Sequence, residues 1–538
     1  MKPPDRTIEA GPVHVRSAGA WWSTVNAEEA FPGVLTPLTW SFYGYGARKA
    51  MTQLWKDLGA LPGRTPAETA DVDSWFVGTF YGRAAMNVDR YAQMADRMPG
   101  TSGAALAEQF FGVARTEPST STMRRYPIIA AKAPVAVLRA RRITLRELPE
   151  IARWRRESVA KAADADLGEA RRLLLAAYRR LEPALLRHIL LTMIAQNFYE
   201  QVERLCAGAG HPGLELDLMI SRSGTDEFRI VDDLWSVAHG ARSLATFIDA
   251  HGYHGPNEGH LDGTVWREDP APVEELLTRF RELPADSAPD RVAKRRADQA
   301  ACARQTLLAA LPRLRRPAAH ALLRVATAMP VLREVGKSTF LQIVDVARAA
   351  ARDLGHHLAD AGHLGEPRDI YFLTIDEAIT AGNRDWTATA SARRADDAYF
   401  RAVTLPESWR GNPVPQPLSD SQAQADGSPT STELSGIGVS AGVVEGVARV
   451  VSDPSACDLA PGEILVCHFT DPSWSALMAL AAALVIDVGS AISHGAIIAR
   501  ELGIPCVINA RAATIQIRDG QRLVVDGGAG TVRLLGSP

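Results

Sequence analysis

One histidine stands where imidazole chemistry is favoured, in the segment Asp487-Val-Gly-Ser-Ala-Ile-Ser-His-Gly-Ala-Ile-Ile-Ala-Arg-Glu-Leu-Gly-Ile-Pro-Cys-Val-Ile-Asn509. A buried strand is predicted to end at Val488, and a Gly489-Ser490 turn follows. Ser493 is an N-cap residue, so His494 falls in the first turn of a helix that Gly503 and Pro505 stop. A phosphoryl group on that ring would lie beside free backbone N–H groups and the positive end of the helix dipole. The same dipole disfavours imidazolium and keeps the ring neutral and nucleophilic, a state in which imidazole accepts phosphoryl near neutral pH. The residue types alone leave a second reading open, in which His494 is a structural residue at the start of a helix.

The elements around this histidine are those of a compact α/β domain. Val443–Val451, Glu463–Val466, Leu484–Asp487, Cys506–Ile508, Leu523–Val525 and Val532–Leu535 read as short strands. Helices are expected near Ser473–Ala482 and at His494–Leu502. Upstream, residues 147–208, 287–312 and 318–360 carry apolar residues at helical spacing. Between Arg124 and Arg180 there are fifteen basic residues against six acids, which fits either a solvated helix face or a docking surface for an acidic partner. The run Leu405–Glu433 holds five prolines with much Ser, Gln, Asp and Gly, a linker composition. The chain is therefore divided into an N-terminal tail (1–20), a mainly helical domain (21–403), a flexible linker (404–433) and an α/β domain (434–538). The fold class is multidomain, a mainly α-helical domain followed by a C-terminal α/β domain.

The run Gly489-Ser-Ala-Ile-Ser-His-Gly-Ala-Ile-Ile-Ala-Arg-Glu-Leu-Gly-Ile-Pro505 resembles the phosphohistidine signature of the PEP-utilising enzymes. Gly436-Ile-Gly-Val-Ser-Ala-Gly-Val-Val-Glu-Gly446, Thr470-Asp-Pro-Ser-Trp474 and Val525-Asp-Gly-Gly-Ala-Gly-Thr-Val532 resemble other parts of that family's swivelling domain. The resemblance covers essentially all of residues 434–538 and implies that His494 is a phosphoryl carrier. Two departures stand out. The family commonly has Gly-Gly where Gly489-Ser490 stands, and Ile492 occupies the position of a regulatory threonine in plant dikinases.

Residues 20–405 are similar to the helical acceptor domain of the rifampin phosphotransferases. The similarity runs through Asn26–Ser41, Tyr81-Gly-Arg-Ala-Ala-Met-Asn87, His251-Gly-Tyr-His-Gly-Pro-Asn-Glu-Gly259, Trp266-Arg-Glu-Asp-Pro270, Leu332-Arg-Glu334 and Asp369–Glu377. Within these stretches, Arg83, Arg267 and Arg333 could clamp a transferring phosphoryl group, or serve as ion-pair partners of residues such as Glu268 and Glu334. His254 and Glu258, in a Gly- and Pro-rich loop, are candidates for a general base that deprotonates an acceptor hydroxyl. The family often has Arg at the position of His254. His251 and His260 could join His254 around a metal, but their spacing fits no standard zinc pattern, and no metal site is expected. Pro32-Gly33 and Thr36-Pro37 make stiff turns near Trp40 and Tyr43, which could wall an apolar pocket or pack in a core.

Composition narrows the field further. The chain has 538 residues, 46% hydrophobic and 22% charged, with 59 Lys plus Arg against 62 Asp plus Glu. That is ordinary globular composition and gives no reason to expect a nucleic-acid partner. Five scattered cysteines without a C-x-x-C pair argue against a disulfide scaffold or zinc-thiolate site. Ala476–Val488, the most apolar stretch, is too short to span a bilayer, and no signal peptide is read, so a cytoplasmic, membrane-free protein is expected. In the dikinases a barrel that binds phosphoenolpyruvate or pyruvate follows the histidine domain. None follows here, so that reaction is not expected. The residues before Trp21 are too few for an ATP-grasp domain, and no G-x-x-x-x-G-K-[ST] loop is present. The resemblance thus implies a phosphotransferase component with no cofactor of its own. An ATP-grasp subunit in trans, holding ATP and Mg2+, would charge His494, and a hydroxylated small molecule would accept the phosphoryl group. The alternative is a non-turnover binding or regulatory module, or a free phosphocarrier, that retains the fold.

Overall fold

The computed structural model describes residues 9–25, 27–66, 69–99, 101–111, 113–114, 123–220, 226–418, 433–452, 454, 459–470, 474–491, 493–511 and 513–535. The chain divides into two compact units. The first comprises Met1–Leu190, Gly259–Asp262 and Thr339–Asp426, and the second Leu191–Glu258, Gly263–Ser338 and Gly427–Pro538. The helical stretch 21–403 is therefore shared between the two units.

In the first unit, helices Pro37–Asp57, Tyr126–Ala162 and Thr387–Arg401 pack with parts of Leu167–Gly208 and Met329–Asp360 around one apolar core. Thr36 caps the helix Pro37–Asp57 by accepting from the Thr39 amide, and Pro37 fills the first turn, where no N–H is needed. Trp40 and Tyr43 lie in this core at 3% and 1% exposure, each edge-on to Phe31. Of the two expectations for these aromatics, core packing is the one observed.

The first unit also contains a feature not expected from the sequence, an antiparallel sheet in the order Val77–Phe80, Arg83–Asn87, Trp21–Ser23, Ser408–Arg410. Tyr81 and Gly82 join its first two strands with φ of 50° and 73°, the backbone of a two-residue I′ hairpin turn. The last strand corrects the predicted linker. Ser408–Arg410 pair with Trp21–Ser23, Val403–Thr404 pair with Gln416–Pro417, and Asn412 bonds Ser17. Three-residue strands whose partners lie hundreds of residues away leave no periodic trace in the sequence. The remainder of the linker, residues 419–432, lies outside the described residues.

Between the helices of this unit sits a buried charge cluster. Asp345 accepts from Arg155 Nε at 2.8 Å and meets Arg348 Nη1 at 3.3 Å, and Arg348 Nη2 donates to the His260 carbonyl at 3.0 Å. The side chains of Asp345 and Arg348 are fully buried and that of Arg155 nearly so.

The second unit is built on an eight-stranded sheet. Its order is Glu433–Ser435, Thr531–Leu534, Arg522–Asp526, Val443–Val451, Ile464–Cys467, Ala483–Ile486, Cys506–Ile508, Ile437–Ser440. The strands from Val443 to Ile508 run parallel and the flanking ones antiparallel. Leu465, Leu484 and Ile486 point into one apolar cluster, while Ile464, Val466, Ala483 and Val485 point into another. Both faces of the central strands are buried, as parallel strands require. The cover on the Leu465 face comes partly from Trp474, Leu477 and Ile498. The rest comes from far upstream, from Ile230, Leu234, Phe247, Trp266 and Phe280. The helices Asp226–Ala238, Leu244–His251 and Ala271–Glu282 thus share a core with the α/β domain, whereas the sequence placed them with the helical domain. Among the described residues, no helix is long and apolar enough to cross a membrane.

Replacing Asp345 by Asn keeps its shape but strands two guanidinium groups in the core. The expected cost is about 3–5 kcal/mol, as for other broken buried pairs, read as a fall in the denaturant midpoint by circular dichroism. An unchanged midpoint would show that the cluster is not a stability determinant.

Candidate active site

His494 opens the helix His494–Leu502, whose N-cap Ser493 accepts from the Ala496 amide at 3.4 Å. Gly503, in the left-handed conformation, ends that helix. The imidazole is 2% exposed. Its Nδ1 lies 3.3 Å from Thr470 Oγ1 and its Nε2 lies 3.2 Å from Ser475 Oγ, so both ring nitrogens face hydroxyls. A hydroxyl can donate or accept, and this pair suits a neutral ring in either tautomer. Gly495 lets the ring sit this close to the sheet. A Cβ there would stand 2.5 Å from Ile486 Cδ1 and 2.9 Å from Thr470 Oγ1. Any larger residue would push away the hydroxyl that holds Nδ1.

Burial drives the His494 pKa well below the ordinary histidine range, with Lys337 and Arg333 adding to the effect and Glu334 opposing it. His254 also acts on the ring in the lowering direction. Arg333, Lys337 and His254, all in the upstream part of the second unit, thus lie within electrostatic reach of His494. Arg333 and Lys337 are four residues apart on one helix, so they share a face. Arg333 is ion-paired with Glu334, which is 1% exposed.

The loop that carries His254 is held at several points. The His254 Nδ1 is 2.6 Å from Glu258 Oε2, and both side chains are buried. Lys337 Nζ lies 4.0 Å from the other oxygen of Glu258. The His254 carbonyl accepts from the Trp266 amide at 2.8 Å, and Tyr253 Oη meets Ser338 Oγ at 2.7 Å. A carboxylate on Nδ1 fixes the tautomer that leaves Nε2 as a proton acceptor, the arrangement of an oriented general base.

The structure brings together four of the six residues singled out from sequence: His494, His254, Glu258 and Arg333. Arg267 lies at the foot of the His254 loop, its guanidinium 3.1 Å from Glu268 and its amide on the Gly252 carbonyl. Arg83 belongs to the first unit, where it donates to the carbonyls of Phe400 at 2.9 Å and Val403 at 2.7 Å. His251 pairs with Asp233 at 2.7 Å, and His260 Nδ1 lies 3.8 Å from Asp262. Sequence reasoning missed Lys337, Glu334 as a neighbour of the ring, and the two hydroxyls. Lys337 could have been found as the same-face residue one turn after Arg333. Thr470 lay inside a quoted motif without a role. Residues 471–473 of that motif and Ile492 lie outside the described residues.

Residues 459–530 match the family described as PEP-utilising enzyme, mobile domain. That match lies within the α/β domain. Residues 222–334, which bear His254 and Arg333, match the family described as rifampicin phosphotransferase fourth domain. A rifampicin phosphotransferase of Streptomyces sp. is 35% identical over 58% of this chain and 37% of its own length. An uncharacterised protein of Mycobacterium tuberculosis is 32% identical over 53% of this chain and 30% of its own. A prodigiosin-synthesising transferase of Serratia marcescens is 30% identical over 54% of this chain and 33% of its own. The chain spans about a third of the length of these relatives.

An ordinary imidazole gains its proton near pH 6.5. Burial and the neighbouring cations lower that value for His494, so the folded ring stays neutral as the pH falls through that range. The unfolded ring does bind a proton there, so this group subtracts from stability below about pH 6.5. Long-range proton–nitrogen NMR on nitrogen-15 histidine-labelled protein should show the His494 nitrogens unshifted from about pH 7.5 to about pH 6. A transition near the ordinary value would contradict the burial account.

Proposed function

We propose that the chain is a phosphotransferase component. In this proposal His494 takes a phosphoryl group from an ATP-grasp partner in trans and passes it to a hydroxylated small molecule. The supporting observation is the buried His494 at a helix N-terminus, within electrostatic reach of Arg333, Lys337 and His254, the last paired with Glu258.

In the charging half-reaction, a neutral ring nitrogen attacks a phosphorus of ATP bound with Mg2+ on the partner. An N–P bond forms as a P–O bond breaks, the rest of the nucleotide leaves on that oxygen and stays with the partner, and the ring proton passes to solvent. In the transfer half-reaction, the acceptor oxygen attacks that phosphorus and the N–P bond breaks, and the departing ring nitrogen takes up a proton from solvent, which restores neutral imidazole. His254 takes the proton of the acceptor hydroxyl, oriented by Glu258. Arg333 and Lys337 stabilise the equatorial oxygens while charge spreads over them. The helix N-terminus adds backbone dipoles that need no reorganisation.

Two relatives, both of Streptomyces, are named for rifampicin and a third for prodigiosin synthesis. A hydroxylated small molecule is the acceptor class proposed for this chain.

Intact-protein mass spectrometry at neutral to alkaline pH tests the proposal, with ATP, Mg2+ and a candidate ATP-grasp protein present. An acid-labile phosphoryl adduct should form on the wild-type chain and be absent from His494→Ala. An adduct that persists in His494→Ala would reject the carrier assignment. No adduct with any ATP-grasp protein would reject the donor.

Single-turnover transfer from the charged protein separates the remaining roles. His254→Gln should slow transfer by about 10²- to 10⁴-fold while the rate of charging stays unchanged. Arg333→Met and Lys337→Met should each slow transfer by roughly 10²-fold or more. Equal losses in charging and transfer would show that these residues hold the fold and not the transition state.

A further inference from the structure

The helix Tyr126–Ala162 buries Ile129, Ala140, Thr144, Ile151, Arg155, Ser158 and Ala162. Its opposite face leaves large apolar side chains in solvent: Ile128 at 41%, Val135 at 64%, Leu138 at 64% and Leu145 at 46% exposure. Scattered exposed leucines are normal, but these are not scattered. With exposed Ala131 they occupy positions 128, 131, 135, 138 and 145, alternating by three and four, and Arg142 takes the one remaining place. That is an a/d seam, the narrow stripe of a coiled coil and not the broad stripe of a core-facing helix.

One edge of the seam is as regular as its centre. Lys132, Arg139 and Arg146 follow the three d positions at seven-residue intervals and form one e row, all exposed. Arg141 sits at a g position on the other edge. The helix holds nine basic residues against three acidic ones, in a chain whose net charge is -3. Arg155 is taken by Asp345, but the charges along the seam are barely used within the fold. Arg146 is 3.5 Å from Glu150 with both side chains more than half exposed, a contact of little energetic weight. Arg139, Arg141 and Arg142 have no acidic partner among the described residues.

We propose that this seam docks an amphipathic helix of a partner protein whose apolar ridge is flanked by Asp and Glu. Charge selects the occupant. Residues at e and g set partner choice in paired helices, and a basic edge calls for an acidic one. A second copy of this chain would bring two arginine edges together, which like-charge repulsion opposes. An anionic membrane surface would favour a wide apolar face, and this seam is one side chain wide with arginines on both sides.

The test uses the full chain and two fluorescent designed peptides of about four heptads, both with Leu at a and d. One carries Glu at e and g, and its twin carries Lys. Fluorescence anisotropy should show binding of the Glu peptide and not of the Lys peptide. Val135→Ser with Leu138→Ser should weaken binding by roughly tenfold or more, and Arg139→Glu with Arg146→Glu should reverse the preference toward the Lys peptide. All four side chains are exposed, so these variants should fold, and the reversed preference is itself evidence of folding. Four outcomes would overturn the proposal: equal binding of both peptides, binding indifferent to the seam substitutions, self-association through this face without capture of the Glu peptide, or binding only to phosphatidylserine vesicles.

Discussion

A carrier histidine must satisfy two opposed demands. Its ring has to be neutral to act as a nucleophile and sheltered from water once charged, yet the group it would carry is an anion. Burial meets the first demand at little cost, because neutral imidazole between two hydroxyls loses no hydrogen bond at His494. The second needs positive potential already in place, since a buried anion without compensation is costly. The N-terminus of a helix supplies part of it without a formal charge, and Arg333 and Lys337 supply the rest. The placement of Thr470, Ser475 and Gly495 follows from this requirement, because each fixes the ring at the one point where dipole and cations converge.

The packing of the sheet delivers those cations. Parallel strands bury both faces, and the α/β domain does not cover its Leu465 face with its own helices alone. Trp266, Phe247 and Phe280 complete that cover, and the loop after Leu244–His251 continues directly into His254 and Glu258. The apolar contact that completes the core is thus the contact that sets the His254 loop in place. Tyr253 on Ser338 then ties this loop to the helix bearing Arg333 and Lys337. A substitution in the Trp266 cluster would loosen both sets of side chains together.

The parts of this arrangement that local rules govern were legible in the sequence. Ser493 as a cap, Gly503 as a stop and the strands Val443–Val451 and Cys506–Ile508 depend on residues within one turn or one strand. What failed to show depends on partners distant in sequence. Ser408–Arg410 form a strand only because Trp21–Ser23 lie beside them, and the prolines around them suggest a linker. Arg83 and Arg333 looked alike as candidate clamps. One spends its guanidinium on the carbonyls of Phe400 and Val403, and the other lies within electrostatic reach of the His494 ring. Nothing in the residue type separates those fates. The grouping of residues 226–282 with the α/β domain was hidden for the same reason, since an amphipathic helix does not announce which sheet it covers.

The charge balance of the site gives the proposed reaction a direction. Arg333 is matched by Glu334, and Lys337 lies near Glu258, so the cations facing His494 are nearly neutralised while the ring is empty. That balance avoids a large repulsive field in a closed space. A phosphoryl group on His494 tips it toward negative, and the least costly compensation is one more proton nearby. His254, held by Glu258 and within electrostatic reach of the ring, is the group placed to take it. The proton available under the proposed mechanism is the one on the acceptor hydroxyl. Loading the carrier therefore favours removal of the proton whose loss makes the acceptor a nucleophile, and discharge of the carrier favours its release. Coupling of this kind needs no moving part at His254, only a site that is balanced when empty and negative when loaded.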